Sequence, residues 1–179
     1  MGPPQLVIND GSLSALVACL MAGERSEVIA WVPPVGSALF TDCPKSPIAL
    51  ELVSRQSELL GYSEVLLAPE TGPEWTTGTM EAAGWLLAAC AEADRRGAER
   101  VIWPINCGSS LDDMQRAAEL AEMVTRIATL DQPALGQSDF EVSLPLADLT
   151  NAEIREMAVD LDAPLDLCRD AQETAATAS

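Results

Sequence analysis

At 179 residues, of which 48% are apolar, the chain is long enough to bury one sizeable core and too short for two comfortable domains. Ten basic residues dispersed among 28 acidic ones give a formal net charge of −18, which excludes a broad nucleic-acid-binding face. No apolar run reaches the roughly 18 residues of a transmembrane helix, and the N-terminus lacks a signal-peptide pattern. We therefore expect a cytoplasmic protein without a membrane partner.

Side chains that hold zinc are scarce in this sequence. It contains no histidine, and its five cysteines include no C-x-x-C pair. A zinc site or Ser-His-Asp catalysis therefore has almost nothing to be built from. An odd number of cysteines also excludes complete intramolecular pairing, and reduced thiols fit the cytoplasm.

The chain begins with a strand, a small polar turn and a helix. Gln5–Ile8 is apolar and too short for a helix, whereas Leu13–Met21 has helical spacing. Gly11 lies where the backbone needs a positive φ. The first N–H groups of the helix point into this turn and can bind an anion. The candidate binding residues of this first turn are Asn9, Asp10, Gly11, Ser12 and Ser14.

The rest of the chain alternates in the same way. We predict strands at 27–32, 64–68, 100–105 and 140–144, and helices at 46–60, 79–96, 111–128 and 150–162. Serine or threonine begins three of these helices, at Ser46, Ser110 and Thr150. Strands that alternate with helices pair in parallel and are covered on both faces. The predicted fold class is α/β, with a doubly wound parallel five-stranded sheet in one domain, residues 1–168, and a disordered tail at 169–179.

A second turn of small residues follows the fourth predicted strand. In doubly wound sheets the strand order reverses between the first and fourth strands, and ligands bind in the crevice there. The two turns are therefore expected to line one crevice. Asp112 and Asp113, which follow, can bind a divalent cation or only complement the helix dipole. The candidate residues of this second turn are Asn106, Gly108, Ser109 and Ser110.

The tryptophans allow two interpretations. Trp31 and Trp103 come late in their strands, where each can stack on a base or pack between sheet and helix. Trp75 lies in a polar loop, where exposure would indicate a lid or a partner contact. The helix at 79–96 is apolar beyond one face, which favours either a buried helix or a homodimer interface.

Two segments resemble the PP-loop ATP pyrophosphatases, and within them the 7-cyano-7-deazaguanine synthase family of queuosine biosynthesis. The phosphate loop of that family reads Ser-Gly-Gly-X-Asp-Ser, and this chain has Gly11 and Ser14 at the matching positions. A family segment, Asp-Leu-Thr-Lys-Ala-Glu-Ile after a Pro-Leu pair, is similar to residues 145–154. The resemblance implies a Rossmann-like sheet of the PP-loop (HUP) type with strand order 3-2-1-4-5, and a site for ATP or AMP with Mg²⁺.

The reactive positions of that family differ here. Leu13 replaces the loop aspartate that the family uses with magnesium, and Asp10 replaces a glycine. Asp10 either places a repulsive charge in the phosphate site or, with Ser12, only caps the helix. The family's arginine and asparagine near Gly78 are missing, and only Cys168 remains of its zinc cluster. We therefore predict no catalytic residue and no metal site.

Three functional hypotheses follow from these patterns. The first is a non-catalytic or altered PP-loop homologue that binds a nucleotide or a partner. The second is an active ATP-dependent ligase of the 7-cyano-7-deazaguanine synthase kind, which adenylates a carboxylate and releases pyrophosphate. The third is an unrelated doubly wound protein with a convergent anion-binding turn.

Overall fold

The computed structural model describes residues 2–24, 27–39, 48–69, 78–131 and 140–169. Its strands are β1 (Gln5–Ile8), β2 (Val28–Val32), β3 (Glu64–Leu67), β4 (Arg100–Ile102) and β5 (Glu141–Ser143). Its helices are α1 (Leu13–Met21), α2 (Ile48–Leu60), α3 (Thr79–Arg96), α4 (Leu111–Asp131) and α5 (Asn151–Asp160), followed by a short 3-10 turn at Leu165–Leu167. The strands form one parallel sheet in the order β3-β2-β1-β4-β5, which confirms the predicted fold class and strand order.

Side chains alternate across the sheet and divide the core into two parts. In β1, Leu6 and Ile8 point to one face, whereas Val7 points to the other. Both faces are apolar because helices cover both. Helices α3 and α4 cover the first face, and α1, α2 and α5 cover the second.

Helix α3 buries one of its faces by the same packing. The apolar residues of that face contact the sheet and the neighbouring helix α4, so much of its apolar surface has an intramolecular explanation. The homodimer stays a prediction. The buried side chains of this helix are those of Ala82, Trp85, Leu86, Ala89, Cys90 and Ala93.

Element ends differ from the predicted bounds by a few residues. Strand β4 ends at Ile102, although the apolar run continues to Ile105, because Pro104 has no N–H to donate to a neighbouring strand. Helix α4 continues three residues beyond the predicted end, to Asp131. The predictions on Ser46 and Trp75 lie outside the described residues.

Within the described ranges, none of the helices is both long and apolar enough to cross a bilayer.

Removing a core side chain beneath α3 tests this packing. Leu86 is fully buried, whereas Leu130 on α4 is 81% exposed. We expect Leu86→Ala to lower the free energy of unfolding by about 2–5 kcal/mol, because it leaves a cavity. The same change at Leu130 should cost less than about 0.5 kcal/mol. Urea denaturation of both variants measures the difference, and equal losses would contradict the described core.

Candidate functional site

The main cleft lies at the carboxyl ends of β1 and β4. Helix α1 leaves β1 toward one face of the sheet and α4 leaves β4 toward the other, so a gap opens between the two turns. The gap is a cleft of about 1300 Å³. Both predicted turns line it, with residues of α3, α4 and α5 and the C-terminal Arg169.

Side chains of the first turn accept three backbone N–H groups of the turn and of α1. Asn9 Oδ1 accepts the N–H of Gly11 at 2.9 Å, and Asp10 Oδ1 accepts that of Ser12 at 3.0 Å. Ser12 Oγ caps α1 by accepting the N–H of Ala15 at 3.2 Å. Gly11 has φ +80°, which other residues adopt only with strain. The capping role considered for Asp10 and Ser12 is therefore present in the structure.

Asp10 forms an ion pair, so of its two interpretations the repulsive charge is offset by a neighbouring cation. Its side chain is 2% exposed, and its Oδ2 lies 3.0 Å from Nη1 of Arg169. The Arg169 side chain is 12% exposed, and its backbone N–H donates to the carbonyl of Gly11 at 2.9 Å. A residue assigned to the tail thus lies on the first turn.

Buried amides connect the same turn to α2 and to the C-terminal segment. Asn9 Nδ2 donates to Gln56 Oε1 at 2.9 Å, and Gln56 Nε2 donates to the carbonyl of Leu167 at 2.8 Å. Asn9 and Gln56 are fully buried. Asn9 Nδ2 also lies 3.5 Å from Sγ of Cys19, whose pKa burial raises to about 12. Asn9 therefore supports the turn from behind and does not face the cleft.

The second turn is built like the first. Asn106 Oδ1 accepts the N–H of Gly108 at 2.8 Å, and Asn106 Nδ2 donates to Asn151 Oδ1 at 2.6 Å, which ties the turn to α5. Ser110 caps α4 by accepting the N–H of Asp113 at 3.3 Å. In both turns an asparagine side chain accepts the N–H of the glycine two residues later, which is an Asx turn.

The cleft brings together arginines that lie far apart in sequence. Arg116 of α4, Arg155 of α5 and Arg169 line it, against two carboxylates, Asp10 and Asp113. Three of the ten basic residues of a chain with net charge −18 therefore line one cavity. These arginines are dispersed along the sequence, and no local signal there indicates that the fold collects them.

The wall toward α3 and α4 is mainly apolar. Trp103 belongs to it, and its indole N–H donates to the carbonyl of Leu39 at 2.9 Å, which fixes the ring. Trp31 is fully buried in the core on the same face and does not line the cleft. The apolar side chains of this wall are those of Ala38, Leu39, Ala82, Trp103, Ile105, Ala117 and Leu120.

Metal ligands are not gathered at the first turn. Leu13 lines the cleft where the PP-loop pattern has its aspartate, and Asp10 is engaged with Arg169. Across the described ranges no group of three or more His, Cys, Asp or Glu side chains could hold a metal ion. The residues present therefore do not fit Mg²⁺ at this turn. Of Asp112 and Asp113, only Asp113 lines the cleft, where it lies 3.7 Å from Arg116.

Most predicted site residues lie in the cleft. Gly11 and Ser110 shape their turns without lining it, as Asn9 does. That the lining residues bind a ligand stays a prediction. The predicted residues that line the cleft are Asp10, Ser12, Ser14, Asn106, Gly108 and Ser109.

Comparison with known proteins gives a likeness of fold. An NH3-dependent NAD synthetase from Campylobacter jejuni, solved in complex with a nitrate ion, superposes with a TM-score of 0.53 and 14% sequence identity. The match covers 92% of this chain and 66% of that one, so this chain spans just under two thirds of the synthetase. No protein-family model matches the sequence. No curated protein matches it significantly either.

Cys107 reports on the electrostatics of the cleft. Burial, and then the charge of Asp113, raise its pKa, whereas burial raises that of Cys90 to about 12. Since the thiolate is the reactive form, Asp113→Asn should lower the pKa of Cys107 and speed its alkylation by iodoacetamide at mildly alkaline pH. Peptide mass spectrometry measures the rate. A Cys43→Ser background is used because Cys43 lies outside the described residues.

The neighbouring Asp112→Asn is the matched control, since Asp112 neither lines the cleft nor acts on this thiol. Equal acceleration by both changes would contradict the described position of Asp113.

Proposed function

We propose that this chain is a PP-loop homologue whose motifs are nearest to those of the 7-cyano-7-deazaguanine synthases. It binds a nucleotide with few phosphates, such as AMP, and no longer releases pyrophosphate from ATP. NAD synthetases belong to the PP-loop ATP pyrophosphatase superfamily, so the common fold supports the first part. The similarity of residues 145–154 to the queuosine family supports the second. The rest of the proposal depends on the cleft.

The position of the cleft supports ligand binding. In an open parallel sheet, small molecules bind outside the carboxyl ends of the strands, where the strand order reverses. Here that place lies between β1 and β4, and the cavity is there. A volume of about 1300 Å³ is ample for a nucleotide.

The two walls of the cleft differ in chemistry. The wall toward α3 and α4 offers apolar surface around Trp103, suited to a flat ring. The wall toward α1 and α5 offers hydroxyls and amides, including those of Ser14 and Asn151, together with Arg155. A ligand with an aromatic ring at one end and an anion at the other fits both walls.

The charge of the cleft is the observation that carries this proposal. A chain of net charge −18 repels anions over most of its surface. The cleft is an exception, because three arginines line it against two aspartates. Arg116 and Arg155 provide cations for a phosphate or carboxylate group there.

The same site is poorly suited to a reaction that cleaves ATP. Such a reaction needs N–H donors and cations that stabilise the negative charge developing on the phosphates. The N–H groups of Gly11 and Ser12 already donate to side chains of the turn. Leu13 provides no metal ligand, so ATP with Mg²⁺ does not fit the first turn as it fits the loop of the resembled family.

Nucleotide titrations test the binding. We expect AMP to raise the thermal midpoint and to bind measurably by calorimetry, because a ligand of the native state stabilises it. ATP should bind no more tightly than AMP, with or without Mg²⁺, because the N–H groups of Gly11 and Ser12 are already engaged and Leu13 offers no metal ligand. Micromolar binding of ATP that depends on Mg²⁺ would contradict this proposal.

Two arginines of α4 provide a matched pair for this titration. Arg116 lines the cleft, whereas Arg126 lies outside it and pairs with Glu122 at 2.5 Å. Arg116→Gln should weaken AMP binding about three- to tenfold, since an exposed guanidinium is partly screened by water and salt. Arg126→Gln should leave the affinity unchanged, and equal effects would indicate only a change of net charge.

A pyrophosphate-release assay separates this proposal from the active ligase. With ATP, ammonia and the carboxydeazaguanine substrate, we expect no release above a blank without protein. Turnover that is lost on Ser14→Ala would overturn the proposal, because Ser14 is one of the two loop residues that agree with the resembled family and it lines the cleft.

A further inference from the structure

The carboxylate of Asp10 is held like a bound anion. Its Oδ1 accepts the N–H of Ser12 at the start of α1, and its Oδ2 accepts the guanidinium of Arg169, each at 3.0 Å. With its side chain 2% exposed, the carboxylate has exchanged water for these donors. A backbone N–H at a helix start together with a buried arginine is the environment that a phosphate oxygen takes.

We propose that Asp10 is an internal anion that occupies the phosphate position of the first turn and closes it to inorganic phosphate and pyrophosphate. A free phosphate group would need the N–H of Ser12 and the guanidinium of Arg169, and the carboxylate already accepts from both. This inference goes beyond nucleotide binding in the cleft and does not require it.

The cation of this pair is positioned by contacts that do not involve the carboxylate. The backbone N–H of Arg169 donates to the carbonyl of Gly11 at 2.9 Å. Two residues earlier, the carbonyl of Leu167 accepts from the buried Gln56, which also accepts from Asn9. The segment around Arg169 is therefore connected to the first turn in two further ways, directly at Gly11 and through Gln56 to Asn9. Removal of the carboxylate should leave the guanidinium in place beside a free N–H.

Removal of the Asp10 carboxylate should increase the affinity for pyrophosphate. Asp10→Gly removes the carboxylate and its volume, and Asp10→Asn removes the charge while keeping the shape. We expect Asp10→Gly to bind inorganic pyrophosphate at least about tenfold more tightly than the wild type, measured by calorimetry and ³¹P NMR. Asp10→Asn should show a smaller gain, because its amide still fills the position. The double variant Asp10→Gly with Arg169→Gln should lose the gain.

Asp112→Asn is the matched control for charge. It removes one negative charge from the neighbouring helix α4, at an exposed side chain that does not line the cleft. It should not increase pyrophosphate binding. If it does so as strongly as the Asp10 variants, the effect is one of net charge and the proposal is wrong.

Stability gives a second readout, because removal of one partner of a buried ion pair is destabilising. Pyrophosphate should raise the thermal midpoint of both Asp10 variants and leave that of the wild type unchanged. A variant that folds only with pyrophosphate supports the proposal. Tight pyrophosphate binding by the wild type, no gain in either variant, or failure of both to fold in excess pyrophosphate would each overturn it. AMP binding by the wild type is a separate measurement, so the two proposals can fail independently.

Discussion

The cleft depends on one constraint, the parallel pairing of β1 with strands on both of its sides. β1 hydrogen-bonds to β2 and to β4, so the chain must cross from one face of the sheet to the other between β3 and β4. The helix after β1 then covers one face and the helix after β4 covers the other. The place of the site follows from strand order alone, before any residue in it is considered.

What fills that place follows from the need to satisfy backbone donors. The first N–H groups of a helix have no partner within the helix and need one from a side chain, water or a ligand. At the first turn Ser12 accepts the N–H of Ala15 in α1, and Asn9 and Asp10 accept those of Gly11 and Ser12 just before the helix. A donor that is satisfied by a side chain is not available to a phosphate, so good local capping and phosphate binding compete for the same groups.

Much of the fold could be predicted, because it is encoded locally. Short apolar runs indicated the five strands, and Thr150, the predicted start of the last helix, forms a capping box with Glu153 there. The burial of Leu86 and its helical neighbours followed from their spacing in the same way. The error at β4 was also local in cause, since the missing N–H of Pro104 was visible in the sequence and was not weighed against the apolar run.

The chemistry of the site could not be predicted, because it rests on contacts between distant residues. Arg169 lies 159 positions from Asp10, and Gln56 lies 47 positions from Asn9. No pattern in a single sequence indicates such pairs. Asp10 without Arg169 is a repulsive charge, whereas Asp10 with Arg169 is half of a buried ion pair. Whether Asp10 repels an anion or is neutralised therefore depends on Arg169, a residue that was predicted to lie in the tail.

The fold and the loop therefore carry different kinds of information. At 14% identity to a synthetase, the fold fixes where a ligand could bind and leaves the chemistry to a few residues. Measured against the resembled loop, this chain keeps one carboxylate but carries it at the second position instead of the fifth. At the fifth position, now Leu13, a carboxylate would face the cleft as a free metal ligand. At the second position the carboxylate of Asp10 accepts hydrogen bonds from Arg169 and from the N–H of Ser12. A carboxylate that would bind a metal ion together with phosphates at the fifth position therefore takes the place of a phosphate at the second.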